Sequence, residues 1–421
     1  MHLGRFTRMA TQGAGVALVA TTLALAACGS SGAGGSKTIG IGSDLPISGT
    51  DAGVGLPTQL GVKLAADQNK DLGNGYTLTY SSKDDVSTTT GAHDPATGAS
   101  NITALLGQSE VVAVVGPFNS NVAKSEIPIS NNNGLTLISP TNTNPGLTLE
   151  QYATDNGIVF SQLHPAGKPN CYFRIPGNDV VQGTILADFS TAAKPSGLGF
   201  TKAYVIDDTE TYGVGLAKNF TLEFQKKGGQ VVGSDSIATA KPPTSTLADK
   251  IKAAKPDFVF YGGVTSGGGG TLKGLLGASI PMVGGDGIAQ DSAFVKASGT
   301  AASANTFGSV AAPDTSKLTS GAAADFSAAY KAAFPDKNLV AYSAQAYDAA
   351  KIEIQAIKSL ISSGKSISRA SVCDAVQHVS YTGVTGTISF DQNGDNAGQR
   401  VFSVYGTDAT GNWNFINQVN G

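Results

Sequence analysis

Val111-Val112-Ala113-Val114-Val115-Gly116-Pro117-Phe118-Asn119-Ser120-Asn121 is an unbroken apolar run, mostly β-branched, that breaks into a Gly-Pro turn and a polar helix start. A run without alternation suits a strand covered on both faces, as in a parallel sheet sandwiched by helices. The pattern recurs in both directions. Upstream, Thr38-Ile39-Gly40-Ile41 leads to Leu56, Leu60 and Leu64 at helical spacing, and Tyr76–Tyr80 alternates with period two. Downstream, Leu135–Ile138, Ala203–Ile206, Val231–Val232, Phe258–Tyr261 and Pro281–Val283 read as strands, mostly separated by helical stretches. This alternation predicts an α/β fold. The strands are too many for one comfortable sheet, so two doubly wound parallel-sheet lobes are expected. After a helix-rich stretch over 317–378, the runs 385–390, 400–405 and 412–418 flank turn signals at Asp391–Asp395 and Asp408–Gly411, which predict an antiparallel terminal meander.

The chain has 421 residues, 41% apolar and 14% charged, a composition of globular proteins rather than disordered or polytopic membrane ones. Fifty-four glycines without a Gly-X-Y period fit many tight strand-to-helix turns and exclude collagen. The net charge is −3, and Lys and Arg nowhere form a basic block. Nucleic acid is therefore not expected as a partner.

Residues 1–27 read as a signal peptide: Arg5 and Arg8 precede an apolar run from Ala14 to Ala27, too short for an ordinary membrane span. Its ending, Leu25-Ala26-Ala27-Cys28, resembles the bacterial lipobox, in which the cysteine is lipidated; plain secretory cleavage after Ala27 is the alternative. Residues 28–36 continue from Cys28 as a Gly/Ser tether. A body lipid-anchored outside the cytoplasm, on the bacterial cell membrane, is the implied arrangement. Cys171 and Cys373 remain, and in an oxidising compartment an even pair suggests a disulfide, although sequence alone does not bring them together.

Catalytic and metal motifs are scarce. There is no HExxH, CxxC, GxSxG, complete GxGxxG or GxxxxGK[ST], and no metal site or cofactor is expected. Asp391-x-Asn393-x-Asp395 begins like a calcium loop but has Asn396 at the glycine position and Phe402 at the terminal glutamate position, so it reads as a turn. No nucleophile, base and orienting group stand out together, which argues against an enzyme.

Parallel sheets bind ligands beyond the carboxyl ends of their strands. Ser120, at a helix start after 111–115, can offer its hydroxyl and nearby amides to a carboxylate, or serve as a simple cap. Thr141, Asn142 and Thr143 follow 135–138 and supply hydroxyls, amides and carbonyls, or merely a polar turn. Tyr212 follows 203–206 as an aromatic wall or a packed helix-start residue. Asp286, flanked by glycines after 281–283, suits an ammonium or caps its own turn.

These residues, with Ser43-Asp44-Leu45-Pro46-Ile47-Ser48-Gly49-Thr50, Val115-Gly116-Pro117, Ile138 to Thr143, Tyr172-Phe173-Arg174, Asp208 to Tyr212-Gly213, Tyr261-Gly262-Gly263 and Gly284-Gly285-Asp286-Gly287, together resemble the branched-chain amino-acid type of periplasmic binding protein, collinearly over about 37–421. The resemblance implies a monomeric two-lobed clamp that hands a small solute to an ABC transporter permease. It implies one lobe over 37–176 plus 308–384, another over 177–307 plus 385–421, and three crossover strands near 174–178, 307–313 and 384–388. It assigns Ser120 and the Thr141–Thr143 loop to the zwitterion, Tyr212 to the second lobe's wall and Asp286 to the ammonium. The chain departs from amino-acid binders in carrying Thr141-Asn142 where small alanines are common, and Val54 or small residues near a usual tyrosine. An amide or aromatic acid as solute, and a ligand sensor for a membrane receptor as role, are the alternatives.

Overall fold

The computed structural model describes residues 37–238, 241–319 and 321–421. The signal peptide, Cys28 and the tether all lie outside the described residues. Strands β1 (Lys37–Leu45), β2 (Asp71–Gly73), β3 (Tyr76–Asp84), β4 (Val111–Val115), β5 (Thr136–Ser139) and β6 (Tyr172–Arg174) form the first sheet, in the order β2-β3-β1-β4-β5-β6. Only β2 is antiparallel to its neighbour. β1 pairs with β3 on one side and β4 on the other, so the winding reverses there and opens a crevice at the carboxyl ends of the strands.

Both faces of this sheet are covered, which is why β4 is apolar throughout. Val112 and Val115 pack with Val62, Ile352 and Ile357 in one core, and Val111 and Val114 pack with Ile102, Leu105 and Ile127 in another. Helices Ala52–Asp67 and Ala341–Ser362 close the first face. Cys171 and Cys373, 202 positions apart, are joined by a disulfide that ties the entry to β6 to helix Arg369–Gln377.

The second sheet contains β7 (Lys202–Asp207), β8 (Gln230–Ser236), β9 (Phe258–Gly262), β10 (Met282–Gly284) and β11 (Thr306–Val310), all parallel. β7 lies between β8 and β9, so a second winding reversal faces the first sheet's. Near the chain end come β12 (Ser380–Gly383), β13 (Gly386–Ser389), β14 (Val401–Thr407) and β15 (Trp413–Asn420). β14 adds antiparallel to β11 and pairs with β15 as a hairpin.

The expected three-stranded meander is corrected at its first strand. β13 pairs with β12, and Ile388 and Phe390 pack in the first sheet's core, so residues 385–390 lie with the first lobe rather than the second. A turn signal fixes local backbone, not the partners of the strands beside it. Here the Asp391–Asp395 turn is locked by its own side chain, with Asp391 Oδ1 accepting from the amides of Asn393 and Asp395 at 2.8 and 3.0 Å.

The chain passes between the sheets three times: after β6, after β11 and between Phe390 and Val401, the third beyond the expected 384–388 because those residues still lie in the β12–β13 hairpin of the first lobe. The first and third passages are bolted together by Arg174, whose side chain is fully buried. Its Nε donates to Asp395 Oδ1 at 2.7 Å, and its other nitrogens donate to Asn144 O and Thr148 Oγ1 at 2.6 and 2.7 Å. Asn396 Nδ2 also donates to Ile175 O at 3.0 Å. The second and third passages are joined where Ser403 Oγ donates to Ala312 O and Tyr405 Oη to Asp314 Oδ2.

Candidate functional site

The two winding reversals face one another, and the loops leaving β4, β5, β7, β9 and β10 meet there. Phe118, Asn119, Ser120, Thr141, Thr143, Tyr212, Val264, Asp286 and Gly287 enclose a cavity of ≈ 20 Å³, about the room of one water. The lobes are therefore closed on each other.

On the first lobe's side, Gly-Pro ends β4 and lets helix Ser120–Asn133 begin at the cavity wall. Gly116 has φ +147°, and a Cβ there would stand 2.4 Å from the Asp44 carbonyl oxygen, so only glycine turns the chain at this point. The helix-capping residue Asn119 makes no side-chain cap, leaving the helix start facing the cavity's polar wall. The β5 loop is held in register by Ser139 Oγ, which donates to Pro117 O at 2.7 Å and accepts from the Asn142 amide at 2.9 Å. Thr141 Oγ1 donates to Phe118 O at 2.7 Å.

On the second lobe's side, Asp286 is half-buried and gripped by two phenols. Tyr212 donates to Oδ1 at 2.7 Å and Tyr342, at the start of helix Ala341–Ser362, donates to Oδ2 at 2.6 Å. Burial raises the Asp286 pKa above the usual carboxylate range, although hydrogen bonds from Tyr342, Tyr212 and Gln182 oppose the shift. The Tyr212 hydroxyl sits so close to the β10 loop that a Cβ on Gly285 would lie 2.3 Å from it. Glycine beside the acid is therefore a condition for this contact. Asp179, at the start of helix Asp179–Thr191, is fully buried, and burial followed by the charge of Asp286 pushes its pKa well up. A wider space of ≈ 800 Å³ lies between the same lobes, with Gly49, Thr50 and Gly91 on one side and Thr265, Ser266 and Lys296 on the other.

Of the six residues singled out from sequence, Ser120, Thr141, Thr143, Tyr212 and Asp286 line one cavity. Asn142 does not: its Nδ2 donates to Phe118 O at 2.7 Å and its Oδ1 accepts from Tyr172 Oη at 2.8 Å, so it braces the β4 and β5 loops from behind. Sequence reasoning missed Phe118, Val264 and Tyr342. Phe118 and Val264 follow β4 and β9 directly and were open to the same strand-end argument. Tyr342 starts a helix far along the chain, and no local signal marks it.

A family model described as periplasmic binding protein matches residues 38–412. The Leu/Ile/Val-binding protein BraC3 of Rhizobium johnstonii is 28% identical over 385 residues, covering 88% of this chain and 92% of its own length. Among solved structures, a leucine binding protein LivK from Thermotoga maritima has a TM-score of 0.73 at 21% identity, over 91% of this chain and 99% of that one. A solute binding protein of an ABC transporter from R. palustris, in complex with benzoate, has a TM-score of 0.67 at 18% identity, over 90% and 96%.

Proposed function

Given that this chain belongs to the periplasmic binding protein family, we propose that it is an extracytoplasmic lipoprotein that captures a small amino acid, or a related amine-bearing carboxylate, and delivers it to an ABC transporter. One observation carries the ligand class. Hydroxyls and a helix start from the first lobe (Ser120, Thr141, Thr143) and a half-buried acid from the second (Asp286) converge on one cavity. The first set suits a carboxylate and the acid suits an ammonium. Tyr212 supplies the aromatic wall. Because the closed cavity is smaller than any amino acid, capture requires the lobes to part and close again about the three passages.

In this reading the lobes are residues 37–176 plus 308–384 and 177–307 plus 385–421, adjusted so that β11 stays whole in the second lobe to Val310 and 385–390 belong to the first. The protein acts as a monomer, held near the permease by acyl chains on Cys28. The leader and tether sequence support the anchor, and Cys28→Ala should release the protein from the membrane pellet.

A second reading has one observation in its favour. Asp286 already receives two phenolic hydrogen bonds, so a solute without an ammonium leaves it satisfied. Calorimetry with amino acids, their amides and aromatic acids separates the two. Tight binding of an amino acid supports the proposal, and binding only of a benzoate or an amide overturns the amino-acid assignment.

A further inference from the structure

Beside the cavity, two carboxylates from different lobes grip the two nitrogens of one histidine. His93, in the segment after β3, has a fully buried side chain. Its Nδ1 is 2.7 Å from Asp51 Oδ2, in the turn Gly49–Asp51 of the same lobe, and its Nε2 is 2.8 Å from Glu210 Oε2, at the cap of helix Thr211–Lys226 in the second lobe. The surrounding contacts also span the seam. Asn121 Nδ2, next to Ser120, donates to Glu210 Oε2 at 3.0 Å, and Ser266 Oγ donates to Asp51 Oδ2 at 3.4 Å. These neighbours place the histidine between the small cavity, lined by Ser120 and Tyr212, and the wider space, lined by Thr50 and Ser266.

With both carboxylates ionised, each only accepts hydrogen bonds, so both ring nitrogens donate and the ring is an imidazolium. Carboxyl groups surround it, Asp51 and Asp85 from the first lobe and Asp208 and Glu210 from the second, with burial raising Asp85 well above the usual carboxylate range and Asp208 to about 7. Farther out, Asp44 and Asp84 act on Asp85, and Asp51 acts on Asp291. Burial alone would lower the His93 pKa, but the hydrogen bonds and charges of Asp51 and Glu210 outweigh it and hold the pKa well above the usual histidine value.

We propose that His93 is a protonated latch: its imidazolium holds Glu210 of the second lobe against Asp51 of the first, so closure over the solute is coupled to uptake of a proton. The proposal rests on the reading of the chain as a solute clamp. Opening removes Glu210 and Asp208 from the ring and admits water, so the open form binds the proton less tightly. Raising the pH between the open-form and closed-form pKa values therefore weakens closure, by up to about tenfold per pH unit for one proton. A solute that favours the closed form raises the histidine's proton affinity by the same factor as protonation raises the affinity for the solute.

The first test needs no solute. Spin labels at Ala104→Cys on the first lobe and Asp249→Cys on the second report the interlobe distance from pH 6 to pH 10. The wild-type background should shift toward longer distances as pH rises. His93→Gln should lose the shift, and Glu210→Gln should move its midpoint to lower pH. Carbon NMR of the labelled imidazole in unaltered protein should show His93 doubly protonated at pH 7.5. A neutral ring at that pH, pH-independent distances in the wild-type background, or an equal shift in His93→Gln each overturns the latch. Calorimetry with L-leucine at pH 9, in two buffers of different ionisation heat, should show proton uptake that His93→Gln abolishes. If L-leucine gives no heat, leucine is not the solute, and the distance and NMR measurements still decide the latch.

Discussion

Replacing Cys171 and Cys373 together by alanine removes a cross-link between positions 202 apart, a loop that encloses the whole of the second sheet's parallel strands. On the chain-entropy account, closing a loop of that length restricts the unfolded chain by ~5 kcal/mol. Both sulfurs lie in the first core beside Phe173, Val372 and Val376, so their loss also leaves a small void. Set against the roughly 5–15 kcal/mol that stabilises an ordinary domain, this is a large fraction. Urea unfolding followed by far-UV circular dichroism, on wild type and the double variant, measures it. The sole tryptophan, Trp413 in β15, reports the second sheet separately. The dichroism midpoint should fall more than the tryptophan midpoint if each lobe unfolds in its own step, because the bond is seated in the first lobe. A stability loss below about 1 kcal/mol, close to the error of the extrapolation, would refute the argument. So would alkylation of both cysteines in unfolded, unreduced protein.

Asp395→Ala should destabilise the protein by about 3–5 kcal/mol, because it leaves Arg174 fully buried with only Asn144 O and Thr148 Oγ1 as partners; an unchanged urea midpoint would show that the bolt is dispensable. Burial pushes the carboxyls of Asp44 and Asp208 up to about 7, and that of Glu126 well above its usual value, so the folded form binds more protons than the unfolded form between about pH 4 and 8. Stability should then fall as pH rises through 7, and a melting temperature at pH 8 equal to or above that at pH 5.5 would contradict it. Asp286→Ala should weaken binding of the best amino acid by about 2–5 kcal/mol in calorimetry, through an unpaired ligand charge. If Asp286 only holds its turn, affinity changes little and the melting temperature drops instead.

What could be read from the sequence depended on how local its physical cause is. β4 announces itself because two cores demand an apolar residue at every position, and the Gly-Pro that ends it is required by the backbone at Gly116. Once strands of that kind are recognised, the rule that parallel sheets bind at their carboxyl ends leads straight to Ser120, Thr141, Thr143, Tyr212 and Asp286. Asn142 shares the same loop and composition, yet its direction is decided by Phe118 and Tyr172, 24 and 30 positions away. Neither neighbour leaves a trace in the local pattern. The same holds for β13, whose alternation predicts a strand but not that β12 would be its partner. Tyr342 and His93 are the extreme cases. Tyr342 reaches Asp286 across 56 positions, and His93 reaches Glu210 across 117. A histidine surveyed for metal-ligand spacing alone has no motif to offer, because its partners are carboxylates brought together only when two lobes meet. Strand-end residues belong to one lobe and are legible from that lobe's winding, whereas the groups that hold the lobes together are defined by the meeting of both.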